Sequence, residues 1–282
     1  MRELIALTKP RITLMAVLVA AGAALLAPGV HDPAKIGVSL LAIALIVGAA
    51  NALNMFIERE GDALMERTKD RPLPAGRLQP AAALTFGVVL AAIALPLFFF
   101  AVNPLTAWLA VVALVNYVAL YTPLKRRTTL ALQVGAISGA MPVLMGWTTV
   151  TAALDLPGLL LFAIFVLWQL PHFLAISLFR SAEYERAGIH LVVLERGEAV
   201  AKRQCLAYAT ALLPLSLALV FWGGSGLAYG LVAFLVNAAF IAYAVKGLSP
   251  SSGTPWARGF FAASLVWPFA MLGGLFLDIA LR

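Results

Sequence analysis

Nine long apolar runs alternate with shorter polar intervals along the chain, at residues 12–28, 36–57, 81–102, 104–121, 130–150, 157–179, 205–222, 227–245 and 259–279. Each is close to the roughly 20 residues that an α-helix needs to cross the hydrocarbon core of a bilayer. Glycine, alanine and proline recur inside the runs, as suits closely packed and kinked helices in a membrane bundle. The pattern predicts an all-α polytopic membrane protein, one domain over residues 1–282 built as a bundle of nine transmembrane helices. The opening residues, MRELIALTKPRIT, read as a short amphipathic lead into the first run. No A-x-A-like cleavage site follows a short apolar core, so no removed signal peptide is expected.

The polar intervals divide into two alternating sets. Eighteen of the twenty Lys and Arg residues lie in 1–11, 58–80, 122–129, 180–204 and 246–258, and only Lys35 and Arg282 lie in the other set. Such asymmetry marks cytoplasmic loops. The N-terminus is therefore expected in the cytoplasm of a cell with an inner membrane, and nine crossings leave the C-terminus outside. Only 12% of residues are charged, against about 25% in soluble domains. The net charge of +7 thus reflects topology and a lipid partner rather than nucleic-acid binding. A single cysteine, Cys205, excludes an intrachain disulfide and a cysteine metal site.

The densest charge follows the second run without a spacer, in NALNMFIEREGDALMERTKDRPLP from Asn51 to Pro74. Asn54, Glu58 and Asp62 stand at i, i+4 and i+8, which places three oxygen-bearing side chains on one helix face. Arg67, Lys69 and Arg71 come just beyond. Acids on one face with bases behind them suit a divalent cation holding a polyphosphate; the bland alternative is a charged helix end at headgroup level. Mg²⁺ takes oxygen ligands, commonly one or two carboxylates completed by substrate phosphates. Lys9, Arg11, Arg67, Arg71, Lys125, Arg126 and Arg127 could neutralise phosphate oxygens. Together such groups would favour departure of a diphosphate. The remainder of the substrate would be apolar, and Phe98, Phe99, Phe100, Trp147, Phe165 and Trp168 are candidates to shield a carbocation. A second acidic cluster, Glu183 and Glu185, closes the sixth run as the first closes the second, and bases open the run before each pair. Two halves could thus gather around one cavity on the cytoplasmic side.

Glu60, Glu66, Asp70, Glu195 and Glu198 read as ordinary loop charge. The like-charge pairs Asp62/Glu66 and Glu66/Asp70 disfavour a continuous helix, so 63–76 is expected to be only partly helical and to stop before Pro72. His31, Asp32, Asp155 and Asp278 show no evident role. Inside the sixth run, Trp168-Gln169-Leu170-Pro171-His172-Phe173 places an ionisable residue at membrane depth, a default functional position. His172 could ligate haem iron, orient a carboxylate or shuttle a proton. Equally, it could bond a carbonyl freed by Pro171.

Three blocks combine into a resemblance. They are NMFIEREGDALMERTKDRPL from Asn54 to Leu73, YTPLKRRT from Tyr121 to Thr128 with GAISGAMPVLMGW from Gly135 to Trp147, and WQLPHFLAIS from Trp168 to Ser177 with EYERAGI from Glu183 to Ile189. With the lead-in TKPRIT from Thr8 to Thr13, the chain resembles the UbiA-type superfamily of intramembrane prenyltransferases, and within it the branch that farnesylates protohaem IX. The resemblance implies a nine-helix bundle with a cytoplasmic-side active-site cavity. It implies farnesyl diphosphate and haem B as substrates, Mg²⁺ as cofactor, and haem O, a hydroxyethylfarnesyl haem, as product. A terminal oxidase or a later haem-modifying enzyme would then be a partner. By position, Asn54, Glu58 and Asp62 fall on the first acidic motif and Glu183 on the second, Arg67, Arg71, Lys125 and Arg126 on basic positions, and His172 on the haem-branch histidine, with Trp168 and Tyr184 in the same blocks.

The chain departs from the usual pattern in carrying Glu58 and Glu183 where the family has Asp, each reaching farther by about 1.5 Å. It also has Ile189-His190-Leu191-Val192-Val193 where prolines are usual, and Thr129 and Ala131 where Pro and Asn are common. Two other readings share parts of the pattern. A quinone-precursor ring could be the acceptor at the same metal site. A transporter would need polar groups at mid-membrane depth linking both faces, whereas here they gather at one.

Overall fold

The computed structural model describes residues 1–249 and 251–282, and every regular element in them is helical. In chain order these are α1 (Arg2–Leu7), α2 (Pro10–Leu26), α3 (Pro33–Asp62), α4 (Pro80–Val102), α5 (Pro104–Leu124), α6 (Ala131–Thr151), α7 (Leu156–Arg186), α8 (Val192–Arg196), α9 (Glu198–Trp222), α10 (Leu227–Lys246) and α11 (Thr254–Ala280). Among the described residues, eight helices are long and apolar enough to cross a membrane, and α2 is a shorter apolar helix of 17 residues. Exposed apolar side chains such as Leu41, Trp108, Leu231 and Phe234 lie along these helices.

The starts of the helices are legible in local chemistry. Proline occupies the first turn of α2, α3, α4 and α5, where its missing N–H costs nothing. Asp32 caps α3 by accepting from the Ala34 and Lys35 amides, and Asn103 caps α5 by accepting from the Thr106 amide. Asp155 accepts from the Gly158 amide at the start of α7. α4 ends in π-helix over Leu97–Val102, and α5 passes through π-helix over Asn116–Tyr121 before its last residues return to α-helix.

Several expectations change. The lead-in is a separate helix: α1 ends before Lys9, whose φ of 49° breaks the chain from α2. Leu7 is buried there with Ala52, Met55, Leu73 and Ala83. The connection after α3 is more extreme than expected, with turns and no helix anywhere in 63–79. The polar interval 180–204, by contrast, is mostly helical, and α9 begins at Glu198 rather than at 205. Asp278, assigned nothing from sequence, is a buried cap: its carboxylate accepts from the Gly226 and Tyr229 amides at the start of α10 and pairs with Arg282.

The chain divides into two compact units, residues 1–154 with 185–189, and residues 155–184 with 190–282. In the first, α3 packs along α4 and α2 along α6. Gly146 lets α6 close on α2, since a Cβ there would collide with the Ala20 backbone. Buried Ser39 and Thr149 exchange a hydrogen bond of 2.6 Å between α3 and α6. In the second unit α9, α10 and α11 pack in sequence, with Phe240 stacked on Phe260 at 4.6 Å and Trp256 on Phe260 at 5.3 Å.

Candidate active site

The last two turns of α3 carry the predicted face. Asn54 and Asp62 are buried, and each polar group on that face has its own cation. Lys9 Nζ donates to Asn54 Oδ1 at 3.0 Å, Lys125 Nζ to Glu58 Oε1 at 2.8 Å, and Arg71 Nη1 to Asp62 Oδ2 at 2.5 Å. The three cations arrive from three different places: the break before α2, the end of α5, and the turns after α3. The left-handed backbone at Lys9 is costly for a residue with a Cβ, and it stands where the chain must turn to bring this ammonium to Asn54.

Surrounding groups fix these side chains. Asn54 Nδ2 donates to Thr122 Oγ1 at 3.1 Å, so its amide oxygen points to the cation. Lys125 also lies over the Tyr121 ring, 4.3 Å from its centroid. Thr68 Oγ1 donates to the Asp62 carbonyl at 2.7 Å and ties the turns to the end of α3. Gly61 leaves room for the Arg126 guanidinium, which a Cβ there would strike.

The electrostatics are uneven. Burial, with the Arg71 and Lys125 charges beside it, pushes the Lys9 ammonium down to about 7 despite the Glu58 and Asp62 carboxylates. Burial also opposes charge on Lys125, but the Tyr121 and Glu58 oxygens outweigh it and hold its pKa above the usual lysine range.

The structure thus gathers Asn54, Glu58, Asp62, Lys9, Arg71 and Lys125 into one network in the first unit, with Arg126 alongside. Arg11, Arg67 and Arg127 are exposed and lie outside it. Glu60 and Glu66 pair with Arg59 and Lys69 at the surface, as loop charge does. Thr122 and Thr68 were missed in the sequence, because an uncharged hydroxyl next to a charge cluster gives no signal of its own. Among the described residues no group of three His, Cys, Asp or Glu could alone hold a metal ion. The donor set nonetheless fits Mg²⁺, which is ordinarily bound by few protein oxygens and completed by substrate phosphates and water.

The second unit holds Glu183 and the aromatic segment. α7 bends at Arg180 (φ −124°, ψ 15°), and Arg180 Nη1 then donates to Glu183 Oε1 at 2.8 Å. Tyr184 follows in the same turn, partly buried. His172 pairs with a hydroxyl rather than with a carbonyl. Its Nδ1 lies 2.7 Å from Ser264 Oγ on α11, and its ring stacks on Trp168 at 5.4 Å and lies against Phe261 at 4.8 Å. Trp168 donates Nε1 to the Ser264 carbonyl at 2.8 Å. Of the aromatic candidates for shielding a cation, Phe98 is fully buried and Phe100 is 83% exposed, so the three-phenylalanine run does not act together.

Comparison with known proteins gives the family and the fold. Residues 14–266 match the model of the UbiA prenyltransferase family. The chain is 48% identical over 276 residues to protoheme IX farnesyltransferase of Anaeromyxobacter sp. (strain Fw109-5), covering 98% of this chain and 93% of that one. It is 48% identical over 255 residues to the protein of the same name from Sorangium cellulosum (strain So ce56), covering 90% and 91%. Among solved structures it shares its fold with a digeranylgeranylglyceryl phosphate synthase at TM-score 0.83 and 15% identity, covering 98% of this chain and 97% of that one. A UbiA homologue from Archaeoglobus fulgidus bound to DMAPP and Mg²⁺ aligns at TM-score 0.72 and 13% identity, covering 97% and 99%.

Proposed function

The chain belongs to the UbiA prenyltransferase family, and we propose that it transfers the farnesyl group of farnesyl diphosphate to a vinyl group of haem B, giving haem O. The observation that carries the diphosphate half of this reading is the matched row of Asn54, Glu58 and Asp62 with Lys9, Lys125 and Arg71. The haem half rests on the likeness to relatives named for that reaction. The helices make this an integral membrane protein, and the alternation of basic intervals supports a site on the cytoplasmic side of the inner membrane.

In this reading Lys9, Lys125 and Arg71 turn from their internal partners to the diphosphate oxygens. There they stabilise the charge that grows as the farnesyl C–O bond breaks and the diphosphate departs with the electron pair. Asn54, Glu58 and Asp62 would then be free to hold Mg²⁺, which would supply Lewis-acid stabilisation of the leaving group. Asn54 keeps its oxygen on that side because Thr122 holds its amide nitrogen. The terminal vinyl carbon of haem attacks the farnesyl cation with the C=C electron pair, and water adds to the resulting benzylic-type cation with loss of a proton, which leaves a hydroxyethylfarnesyl group. The proposed role of His172 is to meet the haem.

The test supplies purified protein with farnesyl diphosphate, Mg²⁺ and either haem B or a hydroxybenzoate. A product with the mass and spectrum of haem O is expected with the first acceptor alone. Prenylation of the hydroxybenzoate without any prenylated haem would overturn the assignment of the acceptor.

A further inference from the structure

Ser264 sits in the middle of α11, fully buried, and touches Trp168 and His172 of α7 at once. Its carbonyl receives the Trp168 indole N–H, and its hydroxyl meets His172 Nδ1 at 2.7 Å. A serine hydroxyl has a single proton to give. That proton has a fixed destination, because Ser264 Oγ also lies 2.6 Å from the Phe261 carbonyl, which can only accept. Ser264 Oγ therefore acts as acceptor toward the ring, and His172 Nδ1 must carry the hydrogen. With the opposite tautomer, Nδ1 and the Phe261 carbonyl would compete for one proton, and a close O–O pair or O–N pair would be left without a hydrogen between its members. Trp168 and Phe261 lie against the ring and oppose the flip that would exchange its nitrogens.

We propose that Ser264 is a positioning residue that holds His172 in the Nδ1–H tautomer and so keeps the Nε2 lone pair available for the iron of the haem substrate. The hydrogen bond to the second nitrogen is what fixes tautomer and orientation in iron- and zinc-binding histidines generally. This step rests on the reading that His172 meets haem, and its test separates the two. The chain has three histidines, His31, His172 and His190, so the imidazole nitrogens of ¹⁵N-histidine-labelled protein in detergent can be assigned by substitution.

Without haem, wild type is expected to show His172 protonated at Nδ1, Ser264→Thr to keep that state, and Ser264→Ala to shift toward Nε2–H. When haem B is titrated in without farnesyl diphosphate, Ser264→Ala is expected to weaken the histidine-ligated Soret signature by about 10- to 100-fold in Kd, and His172→Ala to abolish it. Farnesyl diphosphate binding, measured in the same samples, is expected to stay at the wild-type level and shows that the variants are folded. A wild-type tautomer in Ser264→Ala would overturn the proposal and leave the His172 reading in place. A wild-type haem spectrum in His172→Ala would overturn that reading, and the proposal with it.

Discussion

Glu58 reaches Lys125 by virtue of its length. Shortening it to aspartate draws the carboxylate back by about 1.5 Å and takes the 2.8 Å contact out of hydrogen-bonding range, but it keeps the charge and an oxygen donor. Glu58→Asp is expected to retain turnover within about tenfold of wild type. Glu58→Gln and Asp62→Asn, which remove the charge, are expected to lower kcat by about 10²- to 10³-fold while the protein stays folded in detergent. Steady-state kinetics with farnesyl diphosphate and Mg²⁺ distinguish these cases, and near-full activity in Asp62→Asn would remove Asp62 from the metal site. Lys9 adds a pH dependence. Its ammonium titrates near 7 in the free protein, and a bound diphosphate favours the charged form, so binding above that pH takes up a proton. Affinity for farnesyl diphosphate is therefore expected to fall as pH rises above about 7, and the fall is expected to flatten in Lys9→Met. Calorimetry in two buffers of different ionisation enthalpy measures the proton directly.

Helix ends and helix crossings carry the next layer. Gly146 is the point where α6 meets the α2 backbone, so Gly146→Val is expected to force the pair apart and cost about 1–3 kcal/mol, read as a lower thermal midpoint in detergent. Asp278 caps α10 from a different helix. Asp278→Ala leaves two amides unanswered and is expected to cost about 1–2 kcal/mol with no change in KM for either substrate. Local and distant relations differ in how far the sequence shows them. The Asn54–Glu58–Asp62 face was legible because helical spacing is a local property, and a weakening of helix after Asp62 was legible because like charges repel at i,i+4, although the structure carries no helix there at all. Which base meets which acid was not, since Lys9 and Asn54 lie 45 residues apart and Lys125 and Glu58 lie 67 apart. Seven bases were candidates, and only the folded backbone selects three. The start of α9 was hidden because Lys202 and Arg203 interrupt its hydrophobic run, although the helix continues through them. Ser264 was hidden for the opposite reason, as an uncharged residue in an apolar helix whose importance lies in two residues about 90 positions away.

Over the whole molecule, the groups proposed for the two substrates belong to different compact units: the diphosphate network to the first, His172 and Ser264 to the second. Their defects should therefore separate. Lys125→Met is expected to raise the Kd for farnesyl diphosphate by at least about tenfold and leave the haem spectrum untouched, and His172→Ala is expected to do the reverse; binding measured one substrate at a time checks both. Loss of both affinities in either variant would show that the division into two binding functions is wrong. The pairing of these three cations with acceptors on α3 also bears on product release. In the proposed site, free inorganic diphosphate would have to compete for Lys9, Lys125 and Arg71 with Asn54, Glu58 and Asp62, which are tethered beside them. Breaking the C–O bond there would let the protein's own acceptors reclaim those cations, which would displace the by-product from within and dispose the enzyme to shed it rather than be inhibited by it.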